Sequence, residues 1–162
     1  MGLKAWAYWF NLRRKLNLVM STFEPDPKIQ QAAEAYSRDL VGFAWQQFGV
    51  ALDWTDASIE KLESIATAFH DDYKRTRPPL KQVEPFYRMF GSYIGEVYRR
   101  NHGAEWGWVT NGEDRFPGLQ CTSRTLCWPW ARAHNRIING PEDNLWHYYQ
   151  HLLDVGAPRP KP

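Results

Sequence analysis

The chain has 162 residues, 43% hydrophobic and 23% charged, which is the length of one ordinary domain and excludes a disordered or low-complexity polymer. Its formal net charge of +2 is uneven. Lys4, Arg13, Arg14 and Lys15 fall in the first twenty positions with no acid, leaving 16 basic against 18 acidic residues beyond them. A body so close to neutral argues against nucleic-acid binding, which needs a dominant basic face, and equally against an acidic mimic of DNA.

Residues 1–20, MGLKAWAYWFNLRRKLNLVM, form an N-terminal extension. The basic residues follow the apolar run instead of preceding it, and no small-residue cleavage site appears, so a secretory signal is not expected. The segment reads either as an amphipathic helix able to touch an anionic surface or as a stretch upstream of a start at Met20. No run reaches the ~20 apolar residues of a membrane span, so stable membrane insertion is not expected.

The body, residues 21–155, reads as a single α+β domain, followed by a flexible tail at 156–162. Asp26 and Pro27 are an N-cap and a first helical residue, and Gly49 suits a helix end, which predicts a helix over 27–48. A second helix is expected at about 56–74, with Ile59, Leu62, Ile65, Ala66, Phe69 and Tyr73 as its apolar stripe, broken by Pro78-Pro79. A third spans roughly 82–101. Val83, Phe86, Phe90, Ile94 and Val97 share one face, while Gly91 and Gly95 each weaken the helix by about 1 kcal/mol relative to Ala. Two such glycines imply that a backbone or a large ring packs there, or that a ligand occupies the groove.

From Ala104 the period shifts to two. Trp106 and Trp108 share one face, Asn111-Gly112 signals a hairpin, and strands follow at Arg115–Cys121 and Thr125–Trp128, ending at Pro129. Segment 130–139 reads equally as strand or short helix. A last helix, 143–154, is expected behind an Asp143 cap. The layout is therefore three N-terminal helices, a small antiparallel sheet of about three strands, and one C-terminal helix.

Cys121 and Cys127 lie six apart, which is not redox C-x-x-C or zinc-ribbon spacing. They either face each other across a turn and bond, or remain partly buried thiols in a reducing cytoplasm; the second fits cysteine as a small hydrophobe. Glu96, on the wheel opposite the apolar stripe, is a candidate general base at the edge of a Gly91/Gly95 groove, a solvated carboxylate, or a hydrogen-bonding anchor to a neighbouring loop. His147 and His151 have zinc-compatible spacing but lie on a polar face with no third ligand. No nucleophile elbow or phosphate loop appears, so no catalytic residue, metal or cofactor is expected.

Nine tryptophans are the anomaly of the composition. Trp106 and Trp108 are expected to cover the sheet. Of Trp128 and Trp130, beside Arg132, at least one is expected at the surface, where Trp and Arg are the types enriched in binding hot spots.

The run Gly91-Ser92-Tyr93-Ile94-Gly95-Glu96-Val97-Tyr98-Arg99-Arg100, with Gly103 and Trp106 after it, resembles a loose group of uncharacterised bacterial domains. Those domains carry a G-x-Y-x-G-E-V-x-R helix ahead of a tryptophan-bearing strand. The likeness covers about residues 50–153 and implies an architecture, a bacterial origin and a cytoplasmic setting, but no catalytic residues. The expected function is a protein-interaction protein, in its narrowest form an immunity partner of a toxin, which is an analogy at fold level. The expected surface joins Glu96, Arg99 and Arg100 to Trp128, Trp130 and Arg132. The alternative is an enzyme or small-ligand binder using Glu96 in the Gly91/Gly95 groove.

Overall fold

The computed structural model describes residues 20–158. Both readings of the N-terminal extension concern residues that, but for Met20, lie outside that range, as do the last four residues of the tail. The class is α+β, with one more strand and one more helix than the sequence suggests.

The first element is β1 (Thr22–Pro25), a strand the sequence does not announce. The helix α1 (Pro27–Phe48) follows at once. Asp26 caps it by accepting the Lys28 amide at 2.8 Å, and Gly49 ends it in the left-handed region at φ 63°. Next come α2 (Ser58–Thr76) and α3 (Leu80–His102). The strands β2 (Ala104–Asn111) and β3 (Asp114–Cys121) pair antiparallel from Ala104↔Cys121 to Asn111↔Asp114. The hairpin loop is thus Gly112-Glu113, one residue beyond the Asn-Gly expectation. Gly112 at φ 65° supplies the positive dihedral that its first position requires. The short β4 (Leu126–Cys127) pairs only with Leu119 and Gln120, so Pro117 sits where β3 has no neighbour on its outer side.

The ambiguous segment is a helix, α4 (Pro129–Asn139), with Pro129 in the first turn. A 3-10 turn over Pro141–Asp143 leads into α5 (Leu145–Gly156), capped by Asn144 instead of Asp143. Asp143 serves elsewhere, accepting from Arg132 and Asn139. Gly156 is buried, so the packed body reaches one residue into the expected tail.

The sheet runs β1-β2-β3-β4. α3 lies at the centre of the molecule, between α1, α4 and the sheet, and is buried on every side from Phe90 to Tyr98. A helix enclosed in that way cannot keep a polar face, and this governs the chemistry described next. Among the described residues no helix is long and apolar enough to cross a membrane.

Candidate functional site

The glycine-notched helix is filled by the protein itself. A Cβ on Gly91 would lie 2.5 Å from the Trp130 Cα and 2.7 Å from the Pro129 carbonyl carbon, so the backbone of α4 occupies that notch. At Gly95 the indole of Trp106 takes the space, 2.6 Å from such a Cβ at Cη2. The close approach expected at these glycines is made by a backbone and a ring, which occupy the space that the ligand-binding alternative assigns to a groove.

Glu96 is neither a solvated carboxylate nor a free base. It is fully buried, because α3 is enclosed. Its Oε1 accepts from the Trp106 Nε1–H at 2.9 Å and from Arg99 Nε at 2.8 Å. Its Oε2 accepts from Arg99 Nη2 at 3.0 Å and Arg100 Nε at 3.2 Å. Burial alone would push this carboxyl up, but Arg99, Trp106 and Arg100 together hold it below the ordinary glutamate range. A carboxylate so engaged is a poor proton acceptor. Arg99 continues to Glu34 on α1 at 3.3 Å. Arg100 lays its guanidinium 3.7 Å above the Trp54 ring.

Trp54 itself sits at φ 65°, a region that bulky side chains seldom adopt. Its amide donates to the Tyr93 hydroxyl at 3.0 Å, and that hydroxyl also meets Ser58 Oγ at 2.7 Å. The signature residues Gly91, Tyr93, Gly95, Glu96, Arg99 and Arg100 therefore form one packing knot that ties α3 to α1, α4, β2 and the loop before α2.

The tryptophan and arginine positions expected at a surface are likewise drawn inward. Trp130 donates its Nε1–H to Ser92 Oγ at 2.8 Å, meets Tyr36 edge-on at 6.2 Å, and lies under Arg88. Arg132 pairs with Asp143 at 2.8 Å and covers the Tyr148 ring. Trp128 is half-buried, with its indole edge towards Gly118. Trp106 is buried as expected, whereas Trp108 is half-buried, donating to Asp26 Oδ2 at 2.8 Å beneath Arg115.

A polar cluster that sequence reasoning missed joins the loop before α2 to α3 and α5. Asp56 accepts from the Tyr149 hydroxyl at 2.5 Å, from His102 Nε2 at 2.9 Å and from Asn101 Nδ2 at 3.1 Å. Burial opposes its charge, and these donors still hold the carboxyl below its usual value. The three elements meet only in the folded chain, 93 residues apart in the case of Tyr149, so no local pattern could have revealed it. His147 and His151 are both exposed, and among the described residues no three metal-ligating side chains cluster.

Among the described residues the exposed large hydrophobic side chains are Met20, Trp45, Phe48 and Val155, two of them aromatic. Trp45 is 63% exposed and Phe48 41%, neighbours one turn apart at the end of α1. Phe48 is the outer member of a ring chain through Phe43 and Phe69 that reaches the buried Phe90, with centroids 5.1 to 6.2 Å apart. Among the described residues nothing lies within 4 Å of a Cβ built on Gly42 or Gly49, so Trp45 stands between two open notches.

No protein-family model matches the chain, and no curated protein is similar to it. A crystal structure of a protein from Bacteroides thetaiotaomicron VPI-5482 shares the fold. It aligns with a TM-score of 0.61 and 15% identity over 83% of this chain. The present chain spans about half of that protein, 47% of its length. At such identity the likeness defines an α+β architecture and carries no chemistry.

Proposed function

We propose that the protein acts by binding a protein partner, with the end of α1 as its docking surface. The observation that carries this reading is the exposure of Trp45, at 63%, one turn from Phe48, whose ring stacks on Phe43 and Phe69. Exposed Trp is a residue type enriched in binding hot spots, and the Phe48 ring, already held by its neighbours, loses little side-chain freedom on contact. Glu96, the candidate general base, is engaged with Arg99, Arg100 and Trp106, and Arg99 also with Glu34. In its narrower form the partner is a toxin, the chain an immunity protein, and the setting a bacterial cytoplasm. That form is supported by the resemblance of the Gly91–Arg100 helix to uncharacterised bacterial domains and by analogy of fold.

The test is a photo-crosslinking amino acid placed singly at Gln46, beside Trp45, and at Gln150, exposed on α5, in the producing bacterium. A discrete adduct from position 46 alone, identified by mass spectrometry and lost on Trp45→Ala, is the expected result. Absence of an adduct at position 46, or the same adduct pattern from both positions, overturns the docking surface. An adduct whose partner does not arrest growth when expressed alone overturns the toxin form while leaving the surface intact.

A further inference from the structure

The hairpin between β3 and β4 brings two buried thiols together. Leu119 faces Cys127 across the pair, so Cys121, two residues on from Leu119, shares its face of the sheet. The turn is tight. The Cys121 amide donates to the Thr125 carbonyl at 2.9 Å, the Arg124 amide to the Cys121 carbonyl at 2.9 Å, and Arg124 takes φ 66° to close it. The two thiols lie within hydrogen-bonding reach of each other, and both cysteines are free. Cys127 Sγ also lies 3.6 Å from the Leu119 carbonyl, a second acceptor for its one proton.

The surroundings distinguish the two sulfurs. Hydrogen bonds from Cys127 and, after the opposing effect of burial, from Tyr98 lower the Cys121 thiol from its ordinary value. Cys127, donating to its neighbour and enclosed, is pushed up. Cys121 also lies beside the contacts of the turn with the end of α5. The turn's outer residues take the last carbonyls of α5, through Thr122 Oγ1 and the Ser123 amide to Gly156 O at 3.3 Å and Thr125 Oγ1 to Val155 O at 3.0 Å.

We propose that Cys121 and Cys127 form a reversible dithiol–disulfide couple whose oxidant is a hydroperoxide, with Cys121 as the attacking thiol. In the first step the Cys121 thiol gives up its proton, the thiolate attacks one peroxide oxygen, the O–O bond breaks, and the departing hydroxide takes up a proton and leaves as water, giving a sulfenic acid. In the second, the Cys127 sulfur loses its proton and attacks the Cys121 sulfur, the S–O bond breaks, and a second water departs. Two thiols lose two electrons and the peroxide gains them. The resulting bond closes the 121–127 turn beneath the end of α5, and a dithiol reductant reverses it.

The experiment uses the full chain, fully reduced and then treated with hydrogen peroxide. The expected result is a fall in titratable thiols from two per chain to none, with the intact mass lower by about 2 Da and both changes undone by dithiothreitol. A Cys127→Ser variant is expected to stop at the sulfenic acid and take a dimedone label on Cys121, while Cys121→Ser takes none on Cys127. Two thiols still titrating after treatment overturn the proposal. So does a gain of about 32 Da at Cys121 with no cross-link, which is over-oxidation of an isolated thiol. The measurement on the unsubstituted chain decides the matter even where a variant fails to fold.

Discussion

Replacing Gly91 and Gly42 by alanine makes the same chemical change in two helices, and the structure gives it opposite signs. Alanine is better than glycine in a helix interior by about 1 kcal/mol, and both positions gain that amount. At Gly91 the new methyl would lie 2.5, 2.6 and 2.7 Å from the Trp130 Cα, the Trp130 nitrogen and the Pro129 carbonyl carbon. Each is about 1 Å inside the optimal separation of non-bonded atoms, and all three are backbone atoms that no rotamer change can remove. α4 must move away from α3. Overpacking of this kind costs about 1–3 kcal/mol, and the shift strains the 2.8 Å Trp130–Ser92 hydrogen bond, which contributes about 1 kcal/mol more. The net expectation is a destabilisation of about 2 kcal/mol, or a fall in Tm of about 4–8 °C for a chain of this length. At Gly42 nothing among the described residues is displaced, so Gly42→Ala should stabilise by about 1 kcal/mol. Urea unfolding with unchanged slope is the assay. A Gly91→Ala protein as stable as the parent would refute the inference that α4 seats its backbone in the helix notch.

Glu96→Gln removes the anion shared by Arg99, Arg100 and Trp106. The loss should be about 2 kcal/mol, short of the roughly 3–5 kcal/mol of a fully buried broken pair because both arginines keep some contact with solvent. Since the folded Glu96 carboxyl is held below its unfolded value, its contribution is complete above about pH 4.3 and is lost as pH falls through the lower folded value. Acid unfolding followed by circular dichroism should therefore be less steep in the variant. Asp56→Ala strips the buried Tyr149 hydroxyl of its acceptor at a cost of about 1–3 kcal/mol. Adding Tyr149→Phe should then cost almost nothing further, and additive losses in the double-mutant cycle would contradict the coupling. Trp130→Ala should destabilise by about 3 kcal/mol in thermal melts, because the ring packs on Tyr36 and Trp106 and bonds Ser92.

Elements carrying their own punctuation were legible from sequence. The bounds of α1 coincide with expectation because Asp26, Pro27 and Gly49 act locally, within a turn of the residues they cap. β1 went unseen, since four residues without clear alternation become a strand only by pairing with β2, from Thr22↔Thr110 to Pro25↔Gly107. α4 was ambiguous for another reason. It buries Arg136, whose charge breaks the apolar period, against Glu63 and Thr67 of α2 at 2.8 Å. Glu96 was misplaced because a helical wheel assumes one dry face, and α3 has none that is wet along its middle. The glycine pair was read correctly as a close approach, yet the wheel could not say whether a backbone, a ring or a ligand made it.

The pairing of β1 with β2 has a consequence for synthesis on the ribosome. Trp108, whose indole bonds Asp26, is polymerised 82 residues after it, and Arg99 follows its partner Glu34 by 65. At about 5–20 residues per second, roughly 4–16 s separate the emergence of α1 from the arrival of the strand beside it. Through that interval Ala33, Leu40 and Ala44, which the fold buries, wait for the rest of their cover, which makes α1 a stretch that a chaperone can hold.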